Sequence, residues 1–328
     1  MRRRDFIKGI AGSAAAWPTV TRAQQPAIPV IGFLSFRSAN ESATSVAAFR
    51  EGLSEIGYID GRSVHIAFRW AEGRKDRLPE LAVDLVDNLR VAVMAAVGGG
   101  FSALAAKAAT KTIPIVFTYA GDPEKAGIVT SLNRPEGNIT GITWFNADLA
   151  GKAVALLHDL VPTAATVALL INPSDPESQS ELPDAREAAH RLNLKLVVVN
   201  ASTEQEIDMA FATIAQQQID AVVVGTDPFL TSRREQIVGL VARHAMPAIY
   251  TSREWVIAGG LVSYGNSVLE AYRHAGLYVG RLLRGAKPSD LPVERLTKFE
   301  FVINLSTSKT LGLTIPASFL SLADELIE

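Results

Sequence analysis

The sequence predicts an α/β fold of two similar, doubly wound parallel-sheet lobes joined by a multi-crossover hinge. Along most of the 328 residues, short apolar runs typical of strands alternate with segments that carry apolar residues at helical spacing. The alternation occurs twice, and residues 246–249 (MPAI) match residues 113–116 (IPIV) at an offset of 133 residues. Apolar residues form 48 % of the chain, which is enough for two cores. Because βαβ connections are right-handed, each copy is expected to form a parallel sheet covered by helices on both faces.

The first copy contains four predicted strands and three predicted helices. Val46, Phe49 and Leu53 recur at helical spacing, and residues 91–97 form the continuous apolar run of a parallel strand buried on both faces. The predicted strands cover 30–36, 64–70, 91–97 and 113–119, and the predicted helices cover 41–57, 78–89 and 102–110.

The second copy repeats this order. Its predicted strands cover 167–171, 196–199, 221–224 and 246–250, and its predicted helices cover 181–192, 204–217 and 233–244. After it we expect a strand over 261–264, a helix over 269–284 and a strand over 299–304.

The two copies define the predicted domains. The seam lies around residues 138–148, so lobe 1 is expected over 28–143 and lobe 2 over 144–265. Residues 266–290 are expected to return to lobe 1, and about 291–328 to pack on lobe 2 or on the hinge. Two lobes linked by several crossing segments suit a cleft that opens and closes.

The first 23 residues have the pattern of an export signal. Residues 3–8 (RRDFIK) fit the twin-arginine motif, a short weakly apolar stretch follows, and residues 21–23 (TRA) offer a small-x-small cleavage site. We therefore expect a signal peptide that is cleaved near Ala23 and a mature protein in the periplasm. A basic N-terminal tail is the alternative interpretation.

Composition excludes several classes of protein. The chain has no cysteine, which excludes disulfide scaffolds, Cys-ligated zinc and thiol catalysis. A net charge of −2 disfavours nucleic-acid binding, because neutralising phosphates needs a basic face. No apolar run reaches the roughly 20 residues of a membrane span. The G-x-S-x-G, H-E-x-x-H and P-loop motifs are absent, so we expect no catalysis, no metal and no cofactor.

Polar residues follow the predicted strands of both copies. In open α/β sheets, ligands bind beyond the carboxyl ends of the strands, so these residues are candidates for one ligand cleft. Asp122 and Asp227 could face one another across it. Turn formation and helix capping are the alternative roles for such residue types. The candidates at strand ends are Ser35, Tyr119, Asp122, Asn172, Asp227, Glu254 and Tyr264.

The loop after the third strand carries glycines. Residues 98–103 (GGGFSA) contain the outline of a dinucleotide-binding motif, G-x-G-x-x-A. That motif normally follows the first strand, and no ribose-binding acid follows at the expected place. A helix N-terminus with free N–H groups also suits a ligand carboxylate, which fits this position better. Gly99, Gly100 and Phe101 are therefore candidates for binding a carboxylate.

Several segments together resemble one known family. The chain resembles the periplasmic substrate-binding proteins of ABC transporters with the type I fold, in the family that includes the tryptophan/tyrosine-type binding proteins. The segments that carry the resemblance are the export signal ending at 22–25 (RAQQ), 30–35 (VIGFLS), 121–123 (GDP), 131–141 (SLNRPEGNITG), 253–255 (REW), 259–265 (GGLVSYG), 285–288 (GAKP), 291–293 (LPV), 302–305 (VINL) and 311–316 (LGLTIP).

The resemblance implies a monomeric receptor that closes on a small amino-acid-like or carboxylate solute and docks on an ABC permease in the inner membrane. It implies that first-lobe groups bind the carboxylate and that Asp227 binds the ammonium. By position, the first-lobe group is Ser35, Gly99, Gly100, Phe101 and Tyr119, and Asn172, Glu254 and Tyr264 lie beside Asp227.

The sequence departs from the tryptophan-type pattern at residues 226–228 (TDP), where those proteins carry Asp-Asn, and at Tyr264-Gly265. Two alternatives stay open: an exported NAD-dependent oxidoreductase that uses the glycine loop, and a ligand-sensing module for a membrane signalling protein.

Overall fold

Two β-sheets organise the computed structural model, which describes residues 28–144 and 149–328. The predicted signal peptide, residues 1–23, lies outside the described residues. The strands are β1 (Val30–Ser35), β2 (His65–Trp70), β3 (Val93–Val97), β4 (Ile115–Tyr119), β5 (Ile139–Thr143), β6 (Thr166–Ile171), β7 (Lys195–Asn200), β8 (Ala221–Val224), β9 (Ala248–Tyr250), β10 (Val262–Asn266), β11 (Glu294–Arg295), β12 (Phe299–Asn304) and β13 (Glu325–Ile327). The helices are α1 (Ala43–Glu55), α2 (Leu78–Val83), α3 (Gly100–Ala109), α4 (Ala150–Leu160), α5 (Pro176–Arg191), α6 (Glu204–Gln216), α7 (Pro228–Ser232), α8 (Arg234–Arg243), α9 (Arg253–Ile257), α10 (Val268–Leu283), α11 (Leu305–Thr310) and α12 (Ala317–Leu322).

The first sheet has six strands in the order β11-β5-β4-β3-β1-β2, and every paired neighbour is parallel. Side chains of a strand alternate between the two faces. Ile31 and Phe33 therefore pack with α1 and α10 on one face, whereas Leu34 packs with α2 and α3 on the other. Both faces are covered, as the continuous apolar runs of the sequence predict.

The second sheet has seven strands in the order β13-β12-β10-β9-β8-β6-β7. Val167 and Leu169 face α4 and α5, and Ala168 and Leu170 face α6 and α8. Strands β6 to β10 are parallel, but β12 runs antiparallel to β10 because the chain enters β12 from the first lobe. The predicted fold of two doubly wound lobes is confirmed, with β12 as an antiparallel addition to the second sheet.

Among the described residues, the chain passes between the lobes around residues 266–268 and 295–299, and Trp144 and Leu149 flank a further change of lobe. The buried amide of Asn266 donates to two backbone carbonyls of the passage around residues 295–299, at 3.1 and 3.4 Å. These hydrogen bonds tie two passages together at the base of the cleft. Neighbouring passages of this kind form a hinge between two rigid lobes.

The C-terminal part of the chain divides between the lobes. Helix α10 returns to the first lobe, where it packs against α1. Residues 291–328 were expected on lobe 2 or on the hinge, but Glu294–Arg295 pairs with β5 in the first sheet. The chain reaches the second sheet only at β12 and β13. The chain after α10 first adds β11 to the edge of the first sheet and only then crosses to the second lobe.

Candidate functional site

A cavity lies between the lobes, at the carboxyl ends of strands from both sheets, which is the edge where ligands bind in open α/β folds. It encloses about 610 Å³ of space, counted with its open mouth. Both lobes and two hinge passages line it. The lining residues are Arg37, Gly98, Gly99, Thr118, Ala120, Trp144, Thr226, Asp227, Pro228, Thr231, Thr251, Ser252, Glu254, Val268 and Tyr272.

Arg37 is the cation of the first-lobe wall. It follows β1, and its backbone N–H donates to the Ser35 hydroxyl at 3.1 Å, which fixes the turn that aims the side chain into the cleft. Arg37 is only 4 % exposed. A buried charge needs a partner, since desolvation is costly.

Glu41 of the same lobe lies 3.9 Å from Arg37 Nε, but the hydrogen-bonded partner of Arg37 comes from the other lobe. Arg37 Nη2 donates to Glu254 Oε2 at 2.7 Å, and Glu254 stands in the first turn of α9. Burial lowers the pKa of Arg37, but Glu254, with smaller contributions from Tyr272 and Glu41, raises it by more, so the pKa lies above its ordinary value. The ion pair therefore spans the cleft and requires the lobes to be close together.

Asp227 lies in the second-lobe wall, at the end of β8. Its Oδ1 accepts from the Leu230 backbone N–H at 2.6 Å and so caps α7, while its Oδ2 accepts from Asn172 Nδ2 at 3.1 Å. Burial, together with the neighbouring carboxyl of Asp175, raises the pKa of Asp227. Both oxygens of this carboxyl have partners within the lobe.

Glu181 supports the same wall from behind. Both of its carboxylate oxygens lie within hydrogen-bond reach of the Thr226 backbone N–H, at 3.0 and 3.1 Å. Burial raises the pKa of Glu181 to about 8. This carboxyl fixes the backbone of Thr226, whose side chain faces the cavity.

Four polar atoms of the lining residues are buried without a hydrogen-bond partner among the described residues. They are Arg37 Nε, Thr226 Oγ1, Glu254 Oε1 and the Tyr272 hydroxyl. Buried polar groups are otherwise almost always hydrogen-bonded, and each orphan costs about 1–3 kcal/mol. All four atoms belong to residues of the cavity lining, so the unsatisfied polar groups cluster around the cavity.

The glycine loop packs against the second lobe. Gly99 has a φ of 118°, and a Cβ added there would lie 2.5 Å from Pro228 Cγ. Only glycine allows this backbone and this contact. In this arrangement of the lobes, Pro228 of the second lobe therefore covers Gly99 of the glycine loop.

The cavity brings together three of the predicted site residues, Gly99, Asp227 and Glu254. Asn172 lies one step behind, hydrogen-bonded to Asp227. Asp122 is not in the lining; its Oδ1 accepts from the backbone N–H groups of Glu124 and Lys125 in its own turn. These contacts correspond to turn formation and capping, the alternative role that the sequence left open for residues of this type.

The other predicted residues also lie outside the cavity lining. Ser35 supports the Arg37 turn, and Gly100 lies against Tyr119, whose ring would be 2.8 Å from an added Cβ. Phe101 packs on Phe36, with ring centroids 5.8 Å apart. Tyr264 stacks on Phe299 at 5.7 Å and borders a smaller neighbouring pocket.

The predicted set missed Arg37, Thr118 and Tyr272. Arg37 follows β1 and stands among the residues at strand ends, but it was not chosen as a site residue. Thr118 sits one residue inside β4, where the sequence gives no functional signal. Tyr272 lies on α10 and is 2 % exposed. In the sequence it therefore cannot be told from an ordinary core residue of that helix.

The fold and the cleft define the class of two-lobed binding proteins. The model of the family described as "ABC transporter substrate binding protein" matches residues 27–327, and the chain belongs to this family. The predicted resemblance is thereby confirmed.

Three relatives illustrate the similarity. A tyrosine-binding protein of Clostridioides difficile (strain R20291) is 29 % identical over 266 residues, covering 81 % of this chain and 75 % of that protein. A domain from Streptococcus pneumonia, solved in complex with L-Trp, is 27 % identical with a TM-score of 0.81 and covers 90 % of this chain and 100 % of its own. A conserved domain protein of Vibrio cholerae shares the fold, with 24 % identity, a TM-score of 0.83, and coverage of 91 % of this chain and 99 % of its own.

Among the described residues there is neither a membrane-spanning helix nor a cluster of metal-binding side chains. None of their helices combines the length and the apolar character needed to cross a bilayer. No three His, Cys, Asp or Glu side chains among them converge on a point where a metal could bind.

Proposed function

We propose that this protein is the solute-binding receptor of an ABC importer and holds a small amino-acid-like or carboxylate ligand in the interlobe cavity. The observation that carries the proposal is the set of four unpartnered polar atoms on residues that line a cavity between both lobes. A ligand that satisfies atoms of both lobes stabilises the closed form, because such contacts are lost when the lobes part.

The chemistry of the cavity supports a ligand of this class. Small-molecule sites combine apolar walls with a few polar groups. Here Trp144, Val268 and Tyr272 supply apolar surface, and Arg37 and Glu254 supply one charge of each sign. The names of the tyrosine-binding relative and of the L-Trp complex agree with an amino acid.

The proposal includes a partner and a location. The family description supports a transporter partner, which we propose to be a permease in the inner membrane. The signal-like N-terminus supports export to the periplasm, where the receptor would act as a monomer without catalysing a reaction. The permease can distinguish the closed, loaded receptor from the open one through contacts that only one form offers.

A ligand screen by thermal unfolding tests the proposal. The purified mature chain would be heated with each of the twenty L-amino acids and with a panel of simple carboxylates. A ligand present at 100 times its Kd stabilises the folded state by about 2.7 kcal/mol, which is readily seen as a rise in Tm. A receptor of this kind should respond to a small subset of the panel. A chain whose Tm responds to none of these compounds would contradict the proposed ligand class.

A further inference from the structure

Each partner of the ion pair across the cleft has polar atoms that take no part in the hydrogen bond between them. Arg37 uses Nη2 and Glu254 uses Oε2 in their mutual contact, while Glu254 Oε1 is buried without a partner. The hydroxyl of Tyr272, also unpartnered and in a residue only 2 % exposed, lies beside Arg37 and Thr118. Residues of the cavity lining thus carry unpaired donors on the first lobe and an unpaired carboxylate oxygen on the second.

Asp227 and Glu181 of the second-lobe wall are poorly suited to hold a ligand cation. Asp227 already accepts from Leu230 and Asn172, and Glu181 accepts from Thr226 behind the wall. Burial raises the pKa of both carboxyls, so they resist carrying a negative charge. A neutral carboxyl attracts an ammonium group much less than a carboxylate does.

We propose that Arg37 and Tyr272 bind the carboxylate of the ligand and that Glu254 Oε1, rather than Asp227, binds its ammonium group. The inference rests on the proposed function, because it assumes a small ligand in this cavity. It narrows the ligand to a zwitterion whose two charges extend the existing ion pair. The ligand then contacts both lobes, so that both of its charges are bound only when the cleft is closed.

Loss of cleft closure and loss of charge recognition can be separated experimentally. A variant that only favours the open form weakens every ligand by the same factor. A variant that removes a recognising group changes the ratio of two affinities. The first probe is therefore the amino acid that stabilises the wild type best. The other two are its decarboxylated amine, which lacks the carboxylate, and its deaminated acid, which lacks the ammonium group.

Isothermal titration of these three probes tests the assignment. The wild type should prefer the amino acid to both analogues. Arg37→Met should reduce the preference over the amine by about thirtyfold or more, since leaving one charge of a buried pair unmatched costs about 2–5 kcal/mol. Glu254→Gln should reduce the preference over the deaminated acid by a similar factor. Arg50→Met, which removes an exposed first-lobe ion pair with Asp60, should change neither ratio.

Each outcome has a defined meaning. If no amino acid binds the wild type, the proposed ligand class fails and the inference fails with it. If an amino acid binds and both ratios survive in both variants, the function stands and the inference is wrong. If Asp227→Asn rather than Glu254→Gln removes the preference over the deaminated acid, the ammonium site is misplaced. If Arg37→Met does not fold, Arg37→Lys and Tyr272→Phe decide the question, because each should still lower the preference over the amine.

Discussion

Arg37 of the first lobe and Glu254 of the second form an ion pair with 2.7 Å between Nη2 and Oε2, inside the cavity that the two lobes enclose. The side chains are 5 % and 16 % exposed, so water screens the pair only weakly. In an open cleft the two groups separate and each regains water. The pair therefore contributes to the balance between open and closed forms.

We expect Arg37→Met to shift the ligand-free protein toward the open form. Breaking a buried pair by removing one partner costs about 3–5 kcal/mol, and opening lets water solvate the remaining Glu254 carboxylate. Small-angle X-ray scattering should report a larger radius of gyration for the variant. The control is Arg74→Met, which removes an exposed pair within one lobe, with both side chains 65 % exposed. Identical scattering from Arg37→Met and wild type would show that the pair does not hold the lobes together.

We expect Gly99→Ala to weaken ligand binding while leaving each lobe folded. The added Cβ would lie 2.5 Å from Pro228 Cγ, so the lobes could not reach their closed contact. Gly285→Ala is the matched control, because Gly285 also has a positive φ, of 96°, but no atom within 4 Å of an added Cβ. Circular dichroism and titration calorimetry would measure fold and affinity. An affinity loss no larger than that of the control would exclude steric blocking of closure.

We expect Tyr272→Phe to change stability and affinity in opposite directions. Its hydroxyl is buried without a partner, so removal should raise the free energy of unfolding by about 1 kcal/mol, while the ligand loses a donor. Tyr278→Phe on the same helix is the control, because the Tyr278 hydroxyl donates to the Pro292 carbonyl at 2.9 Å. That change should lower stability by about 1 kcal/mol. Urea unfolding would measure both. A destabilised Tyr272→Phe variant would mean that the hydroxyl has a partner in the empty protein.

We expect Glu181 to make the protein less stable as pH rises from about 4.5 to about 8. The folded-state pKa of Glu181 is about 8, against an ordinary value of 4.5. Between these values the folded state holds a proton that the unfolded state has released, so stability falls by up to about 1.4 kcal/mol per pH unit. Below 4.5 both states are protonated and the contribution is constant.

Unfolding by urea at several pH values, for wild type and Glu181→Gln, measures this contribution. The variant lacks the titrating group, so its stability should fall less steeply than that of the wild type between pH 5 and pH 8. Glu187→Gln, on the exposed face of α5, is the control and should follow the wild type. Equal slopes for Glu181→Gln and wild type would contradict the assignment.

The alternation of strands and helices and the duplication were readable from sequence because both sheets bury two apolar faces. Strand β5 was not predicted, since Gly141 interrupts its apolar pattern. The structure gives the reason: an added Cβ at Gly141 would lie 2.4 Å from the Phe117 carbonyl oxygen, so close strand packing requires glycine there. Helix α4 was also not predicted, although Val154 and Leu157 recur at helical spacing; it begins directly after the seam predicted around residues 138–148.

The site was only partly predictable for a different reason. Strand ends place residues at the correct edge, and Asp227 and Glu254 are indeed in the lining. The sequence does not reveal which acid is already satisfied. Asp227 already accepts hydrogen bonds from the backbone N–H of Leu230 at the start of α7 and from the Asn172 amide. Glu254 instead pairs with Arg37, which lies 217 positions earlier in the chain. Such pairings depend on how two lobes meet, which no local pattern records.

Native mass spectrometry of the mature receptor with the twenty L-amino acids and the carboxylate panel tests most directly whether the receptor closes on a ligand. We expect a one-to-one complex with one or a few of these solutes, lost in Gly99→Ala, in which the lobes cannot close. An unliganded mass with every solute, or a complex that Gly99→Ala retains unchanged, would contradict a receptor that closes on its ligand in this cleft.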